Sequence, residues 1–216
     1  SFPINKTVSK KELLKHLHTK LARPNAIPYD FKFYQRDWGF CLAHKRLKEF
    51  NKDSYKVVIK SKFEKGSLKV GNFTIPGKSK DAIGLVAHLD HPAMVNDDLS
   101  GVAVLVELAK KLRKKKNRYT YNCLFLPETI GSIAFVSQNP KIVDKMKYGI
   151  FLEMLGNKNT PALQLSRQGD TTLDSVADYV FRRRYKRFLK GGFRKIVRND
   201  EMVFNGPGIN IPMISL

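Results

Sequence analysis

The sequence predicts an α/β fold: a three-layer, mostly parallel sheet with helices on both faces and a small β-rich excursion. Three observations predict it. From Ala82 onward, continuous apolar runs of strand length alternate with longer segments whose apolar residues recur at helical spacing. Between Tyr55 and Gly77 the apolar period is two instead, the mark of half-buried strands. The chain has 216 residues, 42% of them hydrophobic, enough to bury a core without a disulfide or metal staple.

In chain order, Ser9 is the expected N-cap of a helix over Lys10 to Lys20, with Leu13, Leu14, Leu17 and Leu21 on one stripe. Two prolines in ARPNAIP end it. Aromatics then cluster from Tyr29 to Trp38, and GFCLAHKRLKEF reads as a short helical stretch. The segments YKVVIKSKF and GSLKVGNFTIPG read as a β-meander with turns at Lys65-Gly66 and near Gly71. AIGLVAHLD, YTYNCLFLPE and YGIFLEML are expected as buried strands, joined by the helix SGVAVLVELAKKLRKKK and by the crossover material SIAFVSQ and NPKIVDKM. PALQLSR is a fourth strand and TTLDSVADYVFRRRYKRF another helix, with FRKIV and INIPMISL as short strands. Residues 1–50 and 81–216 are thus expected to form one α/β domain, with 51–80 as a β-rich insertion. Because IPMISL is a strand with nothing after it, the domain is expected to be incomplete at its C-terminal end.

Composition narrows the function classes. No apolar run approaches the roughly 18 residues of a membrane span, and the first residues carry no signal-peptide pattern. Cys41 and Cys123 sit in apolar surroundings and read as free thiols of a reducing compartment, so a cytoplasmic protein is expected. The net charge of +21 invites a nucleic-acid reading. Yet the basic residues are spread over every segment, with runs at Lys110 to Lys116 and Arg182 to Arg187, and no nucleic-acid-binding signature accompanies them. A nucleic-acid partner is therefore not expected.

Ligands of open α/β sheets bind beyond the carboxyl ends of the strands. The first apolar run gives way to His88, Asp90 and His91, then Asn96, Asp97 and Asp98; the second to Glu128 and Thr129; the third to Glu153. Carboxylates and imidazoles converging on one rim are costly unless a cation or substrate neutralises them. With only 19 acidic residues and 5 histidines in the chain, this concentration is its most informative feature. Nitrogen and carboxylate donors suit zinc, with cobalt or manganese as alternatives. His91 is a second candidate ligand if its loop turns inward. Asp97, Asp98 and Ser100 also fit the cap of the following helix. Ser100 lacks the strand-turn setting of a serine nucleophile. Asp200 and Glu201 read as a turn, with the rim of the site as the alternative. His16, His18 and His44 read as surface residues.

The segments HLDH, NDDLSG, PETIG, LEMLG and NDEMVF…GINIP, in this order, resemble the zinc aminopeptidases, the co-catalytic dizinc exopeptidase clan. The chain looks closest to bacterial aminopeptidase-like domain proteins that carry a small inserted β domain and a C-terminal winged helix. The resemblance extends over most of the chain and is strongest from Leu85 to Gly156. It implies a fold of zinc-exopeptidase type and metal-assisted hydrolysis of a peptide or other amide bond. It also implies His88, Asp97 and Glu153 as metal ligands, Asp90 as the group that orients His88, and Glu128 as general base. Thr129 stands where the family has a second Glu ligand, Asp98 where it has Asn, and the sequence ends before the family's final His ligand. The resemblance therefore leaves open whether one or two zinc ions bind.

Overall fold

The computed structural model describes residues 2–30, 35–91 and 95–216. Two compact units divide the chain, Ser1–Gly66 and Ser67–Leu216.

In the first unit, β1 (Ile4–Ser9) pairs antiparallel with β4 (Ser54–Ile59), from Ile4 opposite Ile59 to Ser9 opposite Ser54. Neither the strand β1 nor this pairing was expected from the sequence, because INKTVS buries Val8 alone and its alternation is too weak to read. The expected helix is cut to α1 (Lys10–Lys15), with the Ser9 hydroxyl accepting from the Glu12 amide at 3.2 Å. Leu17 and His18 instead form β2 (Leu17–His18), paired in parallel with β3 (Phe40–Cys41). The helical stretch expected after Gly39 is β3 and a 3-10 helix at His44–Glu49. Val8, Leu13 and Val57 make the core of this unit, with Trp38, Phe50 and Tyr55 against it. His16, His18 and His44 are half-buried here, not surface residues. His16 Nδ1 lies 2.9 Å from the Trp38 carbonyl, His18 Nδ1 3.1 Å from Asp30 Oδ2, and His44 Nδ1 3.0 Å from Thr19 Oγ1. Of the aromatic cluster, Phe31, Phe33 and Tyr34 lie outside the described residues.

The second unit holds a seven-stranded mixed sheet. Its strands are β5 (Gly71–Ile75), β6 (Ala82–His88), β7 (Thr120–Leu126), β8 (Met146–Phe151), β9 (Ala162–Gln164), β10 (Leu189–Gly191) and β11 (Met213–Ser215). Their spatial order is β10-β9-β11-β8-β6-β7-β5. The central four, β11, β8, β6 and β7, run parallel, while β5 is antiparallel to β7 and β9 antiparallel to β11. Residues 51–80 are thus shared out: β4 belongs to the first unit, and β5 is the edge strand of this sheet.

Burial on both faces explains the continuous apolar runs. On one face Val86, Leu124, Leu126, Phe151 and Met213 pack with Phe135 of α3 (Ile130–Gln138), Val143 of α4 (Pro140–Val143) and Phe204 of α6 (Glu201–Phe204). On the other, Leu85, Ala87 and Cys123 meet Leu105 and Ala109 of α2 (Ser100–Arg113). Farther along the sheet, Leu163 and Ile214 pack on Ala177 and Phe181 of α5 (Thr172–Arg184). Helices on both faces make the three layers that the alternating pattern predicts. Phe193 to Val197, expected as a strand, is not one; the Ile196 and Val197 amides each donate to Gln164 Oε1 at 2.9 Å. No helix among the described residues is long and apolar enough to cross a membrane.

The register of α2 can be checked by truncation. Leu105 is fully buried against the sheet whereas Val104 is 43% exposed. Leu105→Ala is expected to lower the unfolding free energy by about 2–5 kcal/mol and Val104→Ala by less than about 1 kcal/mol, read by urea denaturation.

Candidate metal centre

The site lies where β6, β7 and β8 end. His88 is the last residue of β6, between the ends of β7 and β8, and only 1% of it is exposed. Its Nδ1 is 2.9 Å from Asp90 Oδ1. Its Nε2 lies 2.9 Å from Asp97 Oδ1 and 3.7 Å from Glu153 Oε1. Glu153 Oε1 is beyond hydrogen-bond reach and Asp97 Oδ1 is out of line with the ring N–H, so this buried nitrogen has no hydrogen-bond partner among the described residues. The donor atoms of His88, Asp90 and Glu128 lie within 4.8 Å of one another, and so do those of His88, His91 and Asp97. The structure therefore brings together the five site residues that the family resemblance implies, His88, Asp90, Asp97, Glu128 and Glu153, and His91 with them.

Local chain geometry sets each group. The turn Val95–Leu99 precedes α2 and has extended backbone at Asp97, which turns that carboxylate toward His88 while Asp98 points inward. Asp98 Oδ2 accepts from the His88 amide at 3.2 Å, and its Oδ1 accepts from the Gly101 and Met154 amides, each at 3.1 Å. Glu128 comes after β7 in a tight turn in which the Ile130 amide donates to the Glu128 carbonyl at 2.6 Å across Thr129. Thr129 has φ of 60°, a left-handed conformation that costs a β-branched residue about 1–3 kcal/mol.

Asp200 braces this strained turn. Its Oδ1 accepts from the Thr129 amide at 2.9 Å and from the Ser132 hydroxyl, while its buried Oδ2 has no partner among the described residues. Beside it, Asn199 Nδ2 donates to Glu153 Oε2 at 2.9 Å. Glu201 in turn accepts from the Asn199 amide at 2.9 Å and from Gln164 Nε2 at 3.1 Å. Asn199, Asp200 and Glu201 are thus the buried underside of the site, not an exposed turn. Sequence reasoning placed Asp200 and Glu201 in a turn because no local periodicity marks partners that lie 37 to 71 residues away.

The electrostatics are those of an acidic pocket in a basic chain. Burial pushes Asp98 and Asp200 up to about 7 and also raises Glu128 and Glu201. For His88 burial works against the charged form, but the Glu153 and Asp90 carboxylates outweigh it and push the imidazole up to about 10. The donor set fits a divalent metal. An orphaned imidazole nitrogen faces two carboxylates without a hydrogen bond to either, and Asp90 on Nδ1 fixes the ring for ligation through Nε2.

An acid whose folded pKa is raised from 3.8 to about 7 holds its proton longer in the folded state than in the unfolded one. Asp200 therefore withdraws stability as pH rises through that interval. In chelator-treated protein, Asp200→Asn is expected to flatten the loss of stability between pH 4 and 7. Asp200→Ala, compared at pH 5.5, is expected to cost about 2–3 kcal/mol because it strips two donors of their acceptor. Urea midpoints across pH check both.

Comparison with known proteins agrees with this architecture. The chain is 37% identical, over all of its length, to a Clostridium acetobutylicum protein named for polysaccharide biosynthesis and an aminopeptidase-like domain, and it spans 50% of that protein. It superposes on the crystal structure of a candidate peptidase from Clostridium acetobutylicum with a TM-score of 0.92 at 36% identity, covering 100% of this chain and 51% of the other. A zinc aminopeptidase from Bacillus subtilis aligns over 68% of this chain and 38% of its own, with a TM-score of 0.54 at 17% identity. The last likeness shows the aminopeptidase fold, the type that the motifs resemble. Residues 8–216 match one family throughout, and the chain belongs to it: DUF4910, a domain of unknown function.

Proposed function

We propose that this chain forms the core of a metal-dependent, aminopeptidase-like hydrolase that cleaves a peptide or other amide bond. The observation that carries the reading is the buried His88 Nε2, unpartnered and faced by Asp97 and Glu153 at the ends of three parallel strands. His88, Asp97 and Glu153 would hold the ion, and zinc fits their nitrogen and oxygen donors. Bound there, zinc supplies Lewis acidity toward a carbonyl and lowers the pKa of water.

The chain's own residues do the rest. Asp90 holds the His88 ring by Nδ1 and so leaves Nε2 as the ligating atom. Asn199 engages one oxygen of Glu153 and leaves Oε1 toward His88. Glu128 is the general base: its carboxylate lies beside His88 and Asp90, and burial raises its pKa. It would take the proton from the attacking water and return it to the leaving amine. Peptide hydrolysis by a zinc aminopeptidase on this fold, and the aminopeptidase-like domain of the Clostridium relative, support the class of reaction. The free thiols of Cys41 and Cys123 favour a reducing compartment such as the cytoplasm.

The test uses the full-length protein loaded with zinc and a panel of aminoacyl anilides and short peptides. Glu128→Gln is expected to keep its zinc and lose about 100-fold or more in kcat. Undiminished turnover in that variant would remove Glu128 as the base. Less than about half an equivalent of bound zinc, with no hydrolysis, would make the domain a binding protein on an enzyme fold.

A further inference from the structure

We infer that His91 is a ligand of the metal, completing with His88, Asp97 and Glu153 a site of two imidazoles and two carboxylates. The inference rests on the metal-dependent reading above and names a ligand that reading does not contain. His91 Nε2 lies 3.6 Å from Asp97 Oδ1, the same oxygen that lies 2.9 Å from His88 Nε2. All three donor atoms fall within 4.8 Å of one another. The two rings are tilted at 47° with centroids 5.5 Å apart, so they are not stacked face to face.

Hydrogen bonding alone does not explain this arrangement. His88 Nε2 is buried and its approach to Asp97 is out of line for a hydrogen bond, while the second ring brings its own nitrogen to that same oxygen. A cation accounts for both rings. Donors of a tetrahedral zinc with bonds of 2.0–2.1 Å stand roughly 3.3 Å apart. The separations of 2.9 and 3.6 Å to Asp97 bracket that value. Catalytic zinc holds four donors and can expand to five, so two imidazoles with the Asp97 and Glu153 carboxylates leave room for one further oxygen. Glu153 has one oxygen engaged by Asn199 and keeps Oε1, 3.7 Å from His88 Nε2, as a further donor. The chain supplies the second imidazole cheaply, because β6 ends at His88 and the turn after it returns His91, 21% exposed, to the same point.

The test is zinc affinity by competition with a chromophoric chelator, with X-ray absorption to count imidazoles around the ion, in the full-length protein. Wild type is expected to show two imidazoles per zinc. His91→Ala is expected to show one and to bind roughly 100-fold more weakly, since even groups that only orient a ligand cost 10–100-fold when lost. A His91→Ala affinity within threefold of wild type, or a single imidazole in wild type, overturns the assignment while leaving the metal-dependent reading standing. No zinc bound by wild type overturns both. Melting in chelator shows whether His91→Ala folds; if it does not, the imidazole count in wild type decides alone.

Discussion

One buried carboxylate ties the site together. Asp98, 3% exposed, accepts from the amides of His88, Gly101 and Met154, and so joins the end of β6, the start of α2 and the residue after Glu153. Each amide belongs to a segment that carries or flanks a candidate ligand, so the spacing of the ligands depends on this group. Burial alone would penalise its charge, and its pKa is pushed up to about 7 even though three amides favour the ionised form. Gly101 is what lets the carboxylate come this close. A Cβ there would stand 2.4 Å from both Asp98 oxygens and 2.5 Å from the Leu152 carbonyl.

The same logic governs the other side of the pocket. Asn199 donates to Glu153, Asp200 accepts from the strained turn at Thr129, and Glu201 accepts from the Asn199 amide and from Gln164. The result gathers Asp90, Asp97, Asp98, Glu128, Glu153, Asp200 and Glu201 in one region of a chain whose net charge is +21. Like charges held together raise one another's pKa, and Glu128 is lifted both by burial and by Asp90, Glu153 and Asp97. The imidazole of His88 is drawn toward its charged form by the same carboxylates. Such a pocket is stabilised by a cation, and its fixed acids favour one before any substrate arrives.

How much of this was legible in the sequence depends on the range of each contact. Val86, Leu124 and Phe151 lie in runs that are apolar because the strands are covered on both faces, so the central strands could be read directly. His88, Asp97, Glu128 and Glu153 were legible for a related reason: each comes after such a run, and the carboxyl ends of the strands face one rim. The first unit was less readable. INKTVS buries only Val8, and its partner strand begins at Ser54, so neither periodicity nor proximity announces the pair. Asp200 was illegible as a brace because its partner Thr129 is 71 residues distant. Asp98 reads from the sequence as a helix-cap candidate, and only its burial and amide contacts reveal how many segments it joins.

Thr129 is where the chain departs furthest from the two-metal pattern that its motifs resemble. Its amide is committed to Asp200, and a hydroxyl brings no charge where a carboxylate would bring one. Asp90 is engaged with His88 Nδ1, and Asp98 and Asp200 accept from backbone amides. That leaves Asp97 and Glu153 as the carboxylates facing His88 Nε2. Their two negative charges would balance one divalent cation. Glu128 is the remaining carboxylate beside His88, so a second ion among these residues would have to take the group that the proposed hydrolysis uses as its base. Neutral imidazole adds donor atoms without adding charge, so a histidine near this oxygen raises the coordination of a single ion without altering the balance.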